Sequence, residues 1–282
     1  MAFDPTAYKQ EVKEEWGRAA NGWHQWIPAI NAWLESATEI MLDQAGVVAG
    51  ARVIDIAAGD GGQSISAAMR VGLSGEVLAT DIAPEFVGLA NAVAERMGLT
   101  QLKAEVMDAE ALTAPDSYYD GAISRLGLMY LPDLQKGLQE IKRVLKPGGR
   151  VSAIVFTTAE KTPFFSIPVN LIRETRGLSS PDSGLPGPFS LGHLGKLAAS
   201  FKKAGFRDIH EQIIEAPLRF ETAEECVKWR QEASGTMQQM LSGLEEKSKL
   251  EIWRKIVIAL RRYESAAGFE SPCELLICSA LK

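Results

Sequence analysis

The segment Val53-Ile54-Asp55-Ile56-Ala57-Ala58-Gly59-Asp60-Gly61-Gly62 constrains this chain more than any other part of it. Val53 to Ile56 is a short apolar run, as expected of a buried parallel strand, with an acid near its end. Ala57, Gly59 and Gly61 make a turn of small residues, and an apolar pattern at helical spacing follows it. Strand, glycine turn and helix together form a loop whose backbone can approach a ligand closely.

The same alternation continues to residue 157. Strands are expected over Arg52 to Ala58, Glu76 to Ile82, Leu102 to Met107, Gly121 to Leu126 and Arg150 to Phe156. Between the first two, Gln63 to Val71 reads as a helix ended near Gly72. Pro84 suits the first turn of another, which Gly98 terminates. Asp133 is positioned as an N-cap for a helix carrying Leu134, Leu138, Ile141 and Leu145, which Lys146-Pro147-Gly148-Gly149 stops. Such alternation implies a parallel sheet with helices on both faces.

The flanks differ. Residues 6–45 are helical by pattern and form a candidate N-terminal lid (1–45) ahead of a core at 46–157. Residues 158–190 are rich in Pro, Gly and Ser, with an apolar piece from Phe164 to Ile172, and read as an insertion. Residues 191–282 are expected to complete the sheet: a helix from Leu191 to Ala204, a strand over 206–219, a helical insertion at 221–268, and a strand from Glu274 to Leu281. Within that insertion Thr222 and Glu225 fit a capping box, and a helix is expected from Leu250 to Ala266.

Composition removes several classes. A net charge of -6 gives no basic face for nucleic acid or membrane. No apolar run is long enough to span a bilayer, and Met1-Ala2-Phe3-Asp4-Pro5 is no signal peptide, so a cytoplasmic protein is expected. The three cysteines, Cys226, Cys273 and Cys278, lack zinc spacing and read as packed thiols in a reducing compartment, the last two on opposite sides of one strand. No metal is expected.

Three acids stand at carboxyl ends of successive strands, where open α/β sheets bind ligands. Asp55 precedes the glycine turn. Asp81, about twenty residues past Gly61, is placed to accept from a ribose diol. Asp108, in Met107-Asp108-Ala109-Glu110, is placed to accept from an adenine amino group. Two features turn the pattern away from NAD. Ser64 stands where a dinucleotide fingerprint needs a third small Gly or Ala. Asp55 and Asp60 bracket the turn and would repel a pyrophosphate, whereas an ammonium or sulfonium is welcome there.

These residues, Asp55 to Gly61, Asp81, Asp108-Ala109-Glu110 and Leu145-Lys146-Pro147-Gly148-Gly149-Arg150, in order and with Ser117-Tyr118-Tyr119-Asp120 before the fourth strand, resemble the motifs of class I S-adenosylmethionine-dependent methyltransferases. The nearest branch holds the ubiquinone/menaquinone-biosynthesis C-methyltransferases and many small-molecule methyltransferases. The resemblance covers 50–157 well and 190–282 loosely. It implies a doubly wound α/β, Rossmann-like sheet of seven mostly parallel strands, the last antiparallel, with an N-terminal helical lid and helical insertions. It also implies S-adenosylmethionine as cofactor and S-adenosylhomocysteine as product. Asp55, Ala57, Gly59, Asp60, Gly61, Gln63, Asp81, Ile82, Asp108, Ala109 and Arg125 then become cofactor-site candidates. Ala57 departs from the family, which usually has glycine there; alanine is tolerated if φ is negative.

Four of the six tryptophans, Trp16, Trp23, Trp26 and Trp33, lie in the N-terminal segment. They either pack a helix pair on the domain or line a lid that shields a sulfonium through cation–π contact. Trp23 and Trp26 are expected at the lid tip as substrate contacts; Tyr130 is a further substrate candidate, and Phe164 either packs in the core or lines the substrate cavity. Phe165 adjoins it. His24 in that lid and His193 after the Pro/Gly loop are the candidate proton acceptors; His210 is expected on the surface. Arg125, beside an expected sulfonium, is expected either to turn outward or to hold a carboxylate.

The leading expectation is methyl transfer to a small, partly apolar acceptor at carbon, oxygen or nitrogen. An NAD-dependent oxidoreductase is the rival, opposed by Ser64, the bracketing acids and the lack of a Tyr-x-x-x-Lys pair. A protein that binds S-adenosylmethionine for sensing or for non-methyl chemistry stays open.

Overall fold

The computed structural model describes residues 3–179 and 184–282; Met1 and Ala2 of the N-terminal reading, and residues 180–183 of the expected insertion, lie outside the described residues. Two helices come first, α1 (Pro5–Gln25) and α2 (Ile27–Gln44). Asp4 caps α1 by accepting from Thr6 N at 2.9 Å, and proline stands in the first turn of both. The alternating core follows: β1 (Arg52–Ile56), α3 (Gly62–Val71), β2 (Glu76–Asp81), α4 (Pro84–Arg96), β3 (Leu102–Val106), β4 (Tyr119–Arg125), α5 (Leu134–Val144) and β5 (Leu145–Phe156). Each expected core element is present, shifted at its ends by a few residues; β5 shows the largest shift, because Leu145 already pairs with Tyr119 and residues 146–149 are taken up in an irregularity before Arg150 pairs with Gly121. Asp133 caps α5 through Lys136 N at 3.0 Å, as its position suggests.

The last third holds α6 (Pro163–Arg176), α7 (Lys196–Lys203), β6 (Arg207–Glu215), β7 (Leu218–Phe220), α8 (Ala223–Ala233), α9 (Gly235–Met240), α10 (Glu246–Leu260), β8 (Glu264–Ser265), β9 (Gly268–Ser271) and β10 (Glu274–Leu281). Seven strands form one sheet in the order β3-β2-β1-β4-β5-β10-β6. β1 to β5 are mutually parallel, and β10 runs antiparallel to both β5 and β6. The order reverses at β1/β4, which opens a crevice at the carboxyl ends of those strands.

Five sequence expectations change here. The helix expected from Leu191 begins only at Lys196, after Gly195 with φ +83°. The strand expected over 206–219 breaks at Ala216–Pro217, because proline cannot donate to the ladder, and its far end pairs elsewhere as β7. The helix expected to reach Ala266 stops at Leu260, and Ala266–Ala267 instead turn a hairpin, β8–β9, that completes a second sheet, β7-β9-β8. Cys273 precedes β10 rather than lying within it; all three cysteines are free and buried. The Thr222 cap is formed, Glu225 N donating to Thr222 Oγ1 at 3.1 Å, but the Glu225 carboxylate reaches Glu221 N rather than the cap residue's own N–H.

The core lies on both faces of the main sheet. Val53, Ile54, Ile56, Ile123, Ile154, Leu276 and Ile277 are fully buried. Burying each large aliphatic side chain stabilises by roughly 1.5–3 kcal/mol. α1 crosses the carboxyl end of the sheet, packed on α4, α8 and α9. Its contact with α8 is close enough that a Cβ on Gly22 would stand 1.8 Å from the Glu232 carbonyl oxygen. Among the described residues no helix is long and apolar enough to cross a membrane.

Candidate functional site

A large cavity of about 1360 Å³, its open mouth included, lies over the carboxyl ends of β1 to β5, beneath α1. Its wall is acidic at one end and aromatic at the other.

The acidic end is built on the β1–α3 turn. Asp55 sits beneath it, fully buried, accepting from Ser64 Oγ at 2.5 Å and Gln63 Nε2 at 3.3 Å. It does not reach the cavity, so this expected ligand contact is corrected: Asp55 braces the turn from behind. Gly61, with φ +83°, N-caps α3 and likewise lies off the cavity wall. Ala57, Gly59, Asp60 and Gln63 do line it. Ala57 has φ +54°, against the expectation of a negative φ. Its methyl group fits because residue 127 is glycine: a Cβ there would stand 2.5 Å from Ala57 Cβ.

Asp81 ends β2 with one oxygen accepting from Gly59 N at 2.9 Å and the other from Ala83 N at 2.9 Å. It thus ties the glycine turn to the start of α4. Burial pushes its carboxyl up to about 6 despite those donors. Asp60 is 2% exposed, and its Oδ2 lies 3.1 Å from His24 Nδ1. Burial raises the Asp60 carboxyl, with His24 opposing the shift. Asp55 is pushed up to about 7 by the same cause. Three buried acids around one turn favour a ligand that carries positive charge.

Asp108 and Ala109 line the cavity, as does Ile82. Asp108 Oδ2 accepts from Lys9 Nζ at 2.7 Å, and Lys9 also donates to Glu110 Oε2 at 2.8 Å. α1 is therefore strapped to the end of β3 by an ion pair that the sequence reading missed. The Glu110 Oε1 atom accepts from Asp133 N at 2.8 Å, which carries the strap on to the start of α5. Arg125 turns toward α2, donating to Thr38 Oγ1 at 3.0 Å. Burial pushes its guanidinium down to about 10, partly offset by Asp55 and Asp60.

The aromatic end brings Trp16, Trp23, Trp33, Tyr130, Phe164 and Trp229 to one wall. Trp16 meets Trp23 at 5.7 Å and Tyr130 at 5.6 Å between ring centroids, and Phe164 meets Trp33 at 5.4 Å. Trp23, Tyr130 and Phe164 thus line the cavity. Trp26 does not: its indole N–H donates to Glu232 Oε2 at 2.7 Å and its ring packs on Phe220, outside the cavity. Neither candidate proton acceptor reaches the cavity. His24 stands behind Asp60, and His193 is exposed in the turn before α7. His210 is exposed on β6, as expected.

Trp16 and Lys9 were legible in principle, since Lys9, Trp16 and Trp23 recur every seven residues on one face of α1. Trp229 and Arg230 had no such signal. Arg230 is 3% exposed and lines the aromatic end, its guanidinium 4.3 Å from the Phe165 ring centroid.

A reversed strand beside a doubly wound sheet, with an acid-lined glycine turn at its switch point, defines a class I methyltransferase fold. Comparison with known proteins agrees. Residues 53–149 match the methyltransferase domain family. An uncharacterized protein of Mycobacterium tuberculosis is 39% identical over 118 residues, 42% of each chain. A ubiquinone/menaquinone biosynthesis C-methyltransferase of Chromobacterium violaceum is 37% identical over 126 residues, 44% of this chain and 51% of that one. The solved YcgJ protein of Bacillus subtilis superposes with a TM-score of 0.58 at 18% identity, over 88% of this chain and 98% of that one. The match spans about two fifths of the mycobacterial relative's length. Residues 53–149 are thus similar to the methyltransferase domain family, and the sheet has the fold of the class I S-adenosylmethionine-dependent methyltransferases, whose cofactor is S-adenosylmethionine. The donor set fits that cofactor: buried acids with raised pKa values face the cavity beside a backbone turn that leaves room for close approach.

Proposed function

We propose that this protein transfers a methyl group from S-adenosylmethionine to a small, partly apolar acceptor held at the aromatic end of the cavity. The observation that carries this reading is the continuity of the cavity: one space runs from Asp81 and Gly59 to Trp33, Phe164 and Trp229.

In this reading the Ala57–Asp60 backbone and Gln63 hold the amino-acid part of the cofactor. Asp81 accepts from the ribose hydroxyls, Asp108 and Ala109 meet the adenine, and Ile82 packs on it. When bound, S-adenosylmethionine supplies an electrophilic methyl carbon on a sulfonium. The chain's own work is then alignment and exclusion of water. Held in near-attack geometry, an acceptor atom gains much of the needed rate from positioning. Trp16 and Trp23 close the cavity from α1, and Phe164 and Trp229 close it from α6 and α8. No histidine stands in the cavity wall, so an acceptor that ionises readily, or one needing no proton removal before attack, suits this site better than an unactivated alcohol.

The test is incubation of the protein with S-adenosylmethionine and a panel of small aromatic and aliphatic acceptors. Gain of one methyl group by mass, with matching release of S-adenosylhomocysteine, is the expected result. Binding of cofactor without any transfer across the panel would point to sensing instead.

A further inference from the structure

The aromatic end of the cavity contains a cation, Arg230, that has no anion beside it among the described residues. Arg230 is 3% exposed. Its Nη2 is 3.5 Å from Ser234 Oγ, and its Nε, also buried, has no partner. Among the described residues no carboxylate pairs with it; the groups that face it are Tyr130, Cys226, Ser234 and the rings of Phe165 and Trp229. Glu15 lines the same cavity but is engaged by Thr236 across the α1–α9 contact.

A buried arginine without a carboxylate is costly to keep. Here its plane is held against Phe165, with the guanidinium 4.3 Å from the ring centroid, which orients the donor fork. A guanidinium held in this way matches a carboxylate in two parallel hydrogen bonds.

We propose that Arg230 is the anchor for an ionised carboxyl group on the methyl acceptor, so that the substrate class is an aromatic or aliphatic carboxylic acid. The inference rests on the methyl-transfer reading of the cavity. A monoanion is favoured over a phosphate because one cation serves the site, and the far end of the same cavity carries Asp60 and Asp81.

The experiment is calorimetric titration of the full chain, saturated with S-adenosylhomocysteine, with matched acid and amide pairs: benzoate, cinnamate and 2-naphthoate against their amides. At least one acid is expected to bind at least tenfold tighter than its amide. Arg230→Gln should abolish that preference while leaving S-adenosylhomocysteine affinity within twofold, and Arg230→Lys should retain part of it. A purely structural role is read separately from thermal unfolding without ligand. An anion-binding Arg230 predicts that Arg230→Met unfolds no earlier than the wild type, since an unpaired buried charge is removed. Absence of any acid preference in the wild type overturns the proposal, as does a preference that survives Arg230→Gln or early unfolding of Arg230→Met. Failure of S-adenosylhomocysteine to bind would be a different result, removing the reading of the cavity on which the proposal stands.

Discussion

Ala57 and Gly127 are matched across the floor of the cavity: Ala57 holds φ +54°, and its methyl group occupies space that a side chain at 127 would need. A left-handed alanine costs roughly 1–2 kcal/mol, so the pair marks a locally strained turn kept in place by its neighbours.

The pair makes a double-mutant test. Gly127→Ala should destabilise by about 1–3 kcal/mol, because its new Cβ overlaps Ala57 Cβ. Ala57→Gly should be neutral or stabilising by up to about 1 kcal/mol. The double variant should recover much of the loss, giving a coupling that denaturant unfolding can measure. Additive effects would contradict the packing relationship.

Asp81 predicts a pH dependence. Its carboxyl titrates near 6 in the fold and in the ordinary range, about 3.9, when unfolded. Between those values the folded state holds the extra proton, so the Asp81 contribution to stability falls as pH rises through that window. Ligand binding runs the other way, because ionised Asp81 is the better acceptor for ribose hydroxyls. Affinity for S-adenosylhomocysteine should therefore rise at least fivefold from about pH 5 to about pH 7.5. Asp81→Asn should flatten that rise, and Asp81→Ala should weaken binding more than tenfold. Near-native affinity in Asp81→Ala would remove its ribose role.

The histidines separate two accounts of the site. His193→Ala should leave both turnover and cofactor affinity unchanged, since the side chain is exposed and away from the cavity. His24→Ala should weaken S-adenosylhomocysteine binding several-fold, because it strips Asp60 of its partner. A large fall in turnover at unchanged cofactor affinity would instead restore His24 as a proton acceptor.

Lys9 ties α1 to Asp108 and Glu110. Lys9→Ala should loosen that helix, speed its proteolysis, and weaken cofactor binding by threefold to tenfold, about 0.7–1.4 kcal/mol. Unchanged proteolysis would show that contacts with α8 and α9 hold α1 without the strap.

The sheet was legible because Val53–Ile56, Glu76–Asp81 and Gly121–Arg125 are apolar runs separated by recognisable turns and helix caps, signals that act over a few residues. The acids at the strand ends followed from topology alone. Other features were not legible because they depend on contacts distant in sequence. Asp55 looked like a ligand contact until Ser64 and Gln63 were seen to hold it from the other side. Trp26 looked like its neighbour Trp23 until Glu232, more than two hundred residues away, drew it out of the cavity. Arg230 carries no local signal, and only the arrival of α8 beside α6 shows it to be buried without a carboxylate. The Ala266–Ala267 turn reads as helix locally, and the pairing of Phe269 with Phe220 in the small sheet decides otherwise.

Calorimetric titration of the purified protein with S-adenosylhomocysteine, and with NADH as a control, tests the central claim most directly. Micromolar binding of S-adenosylhomocysteine alone is the predicted result. Binding of NADH in its place, or of neither, would contradict the assignment of the acid-lined turn to S-adenosylmethionine.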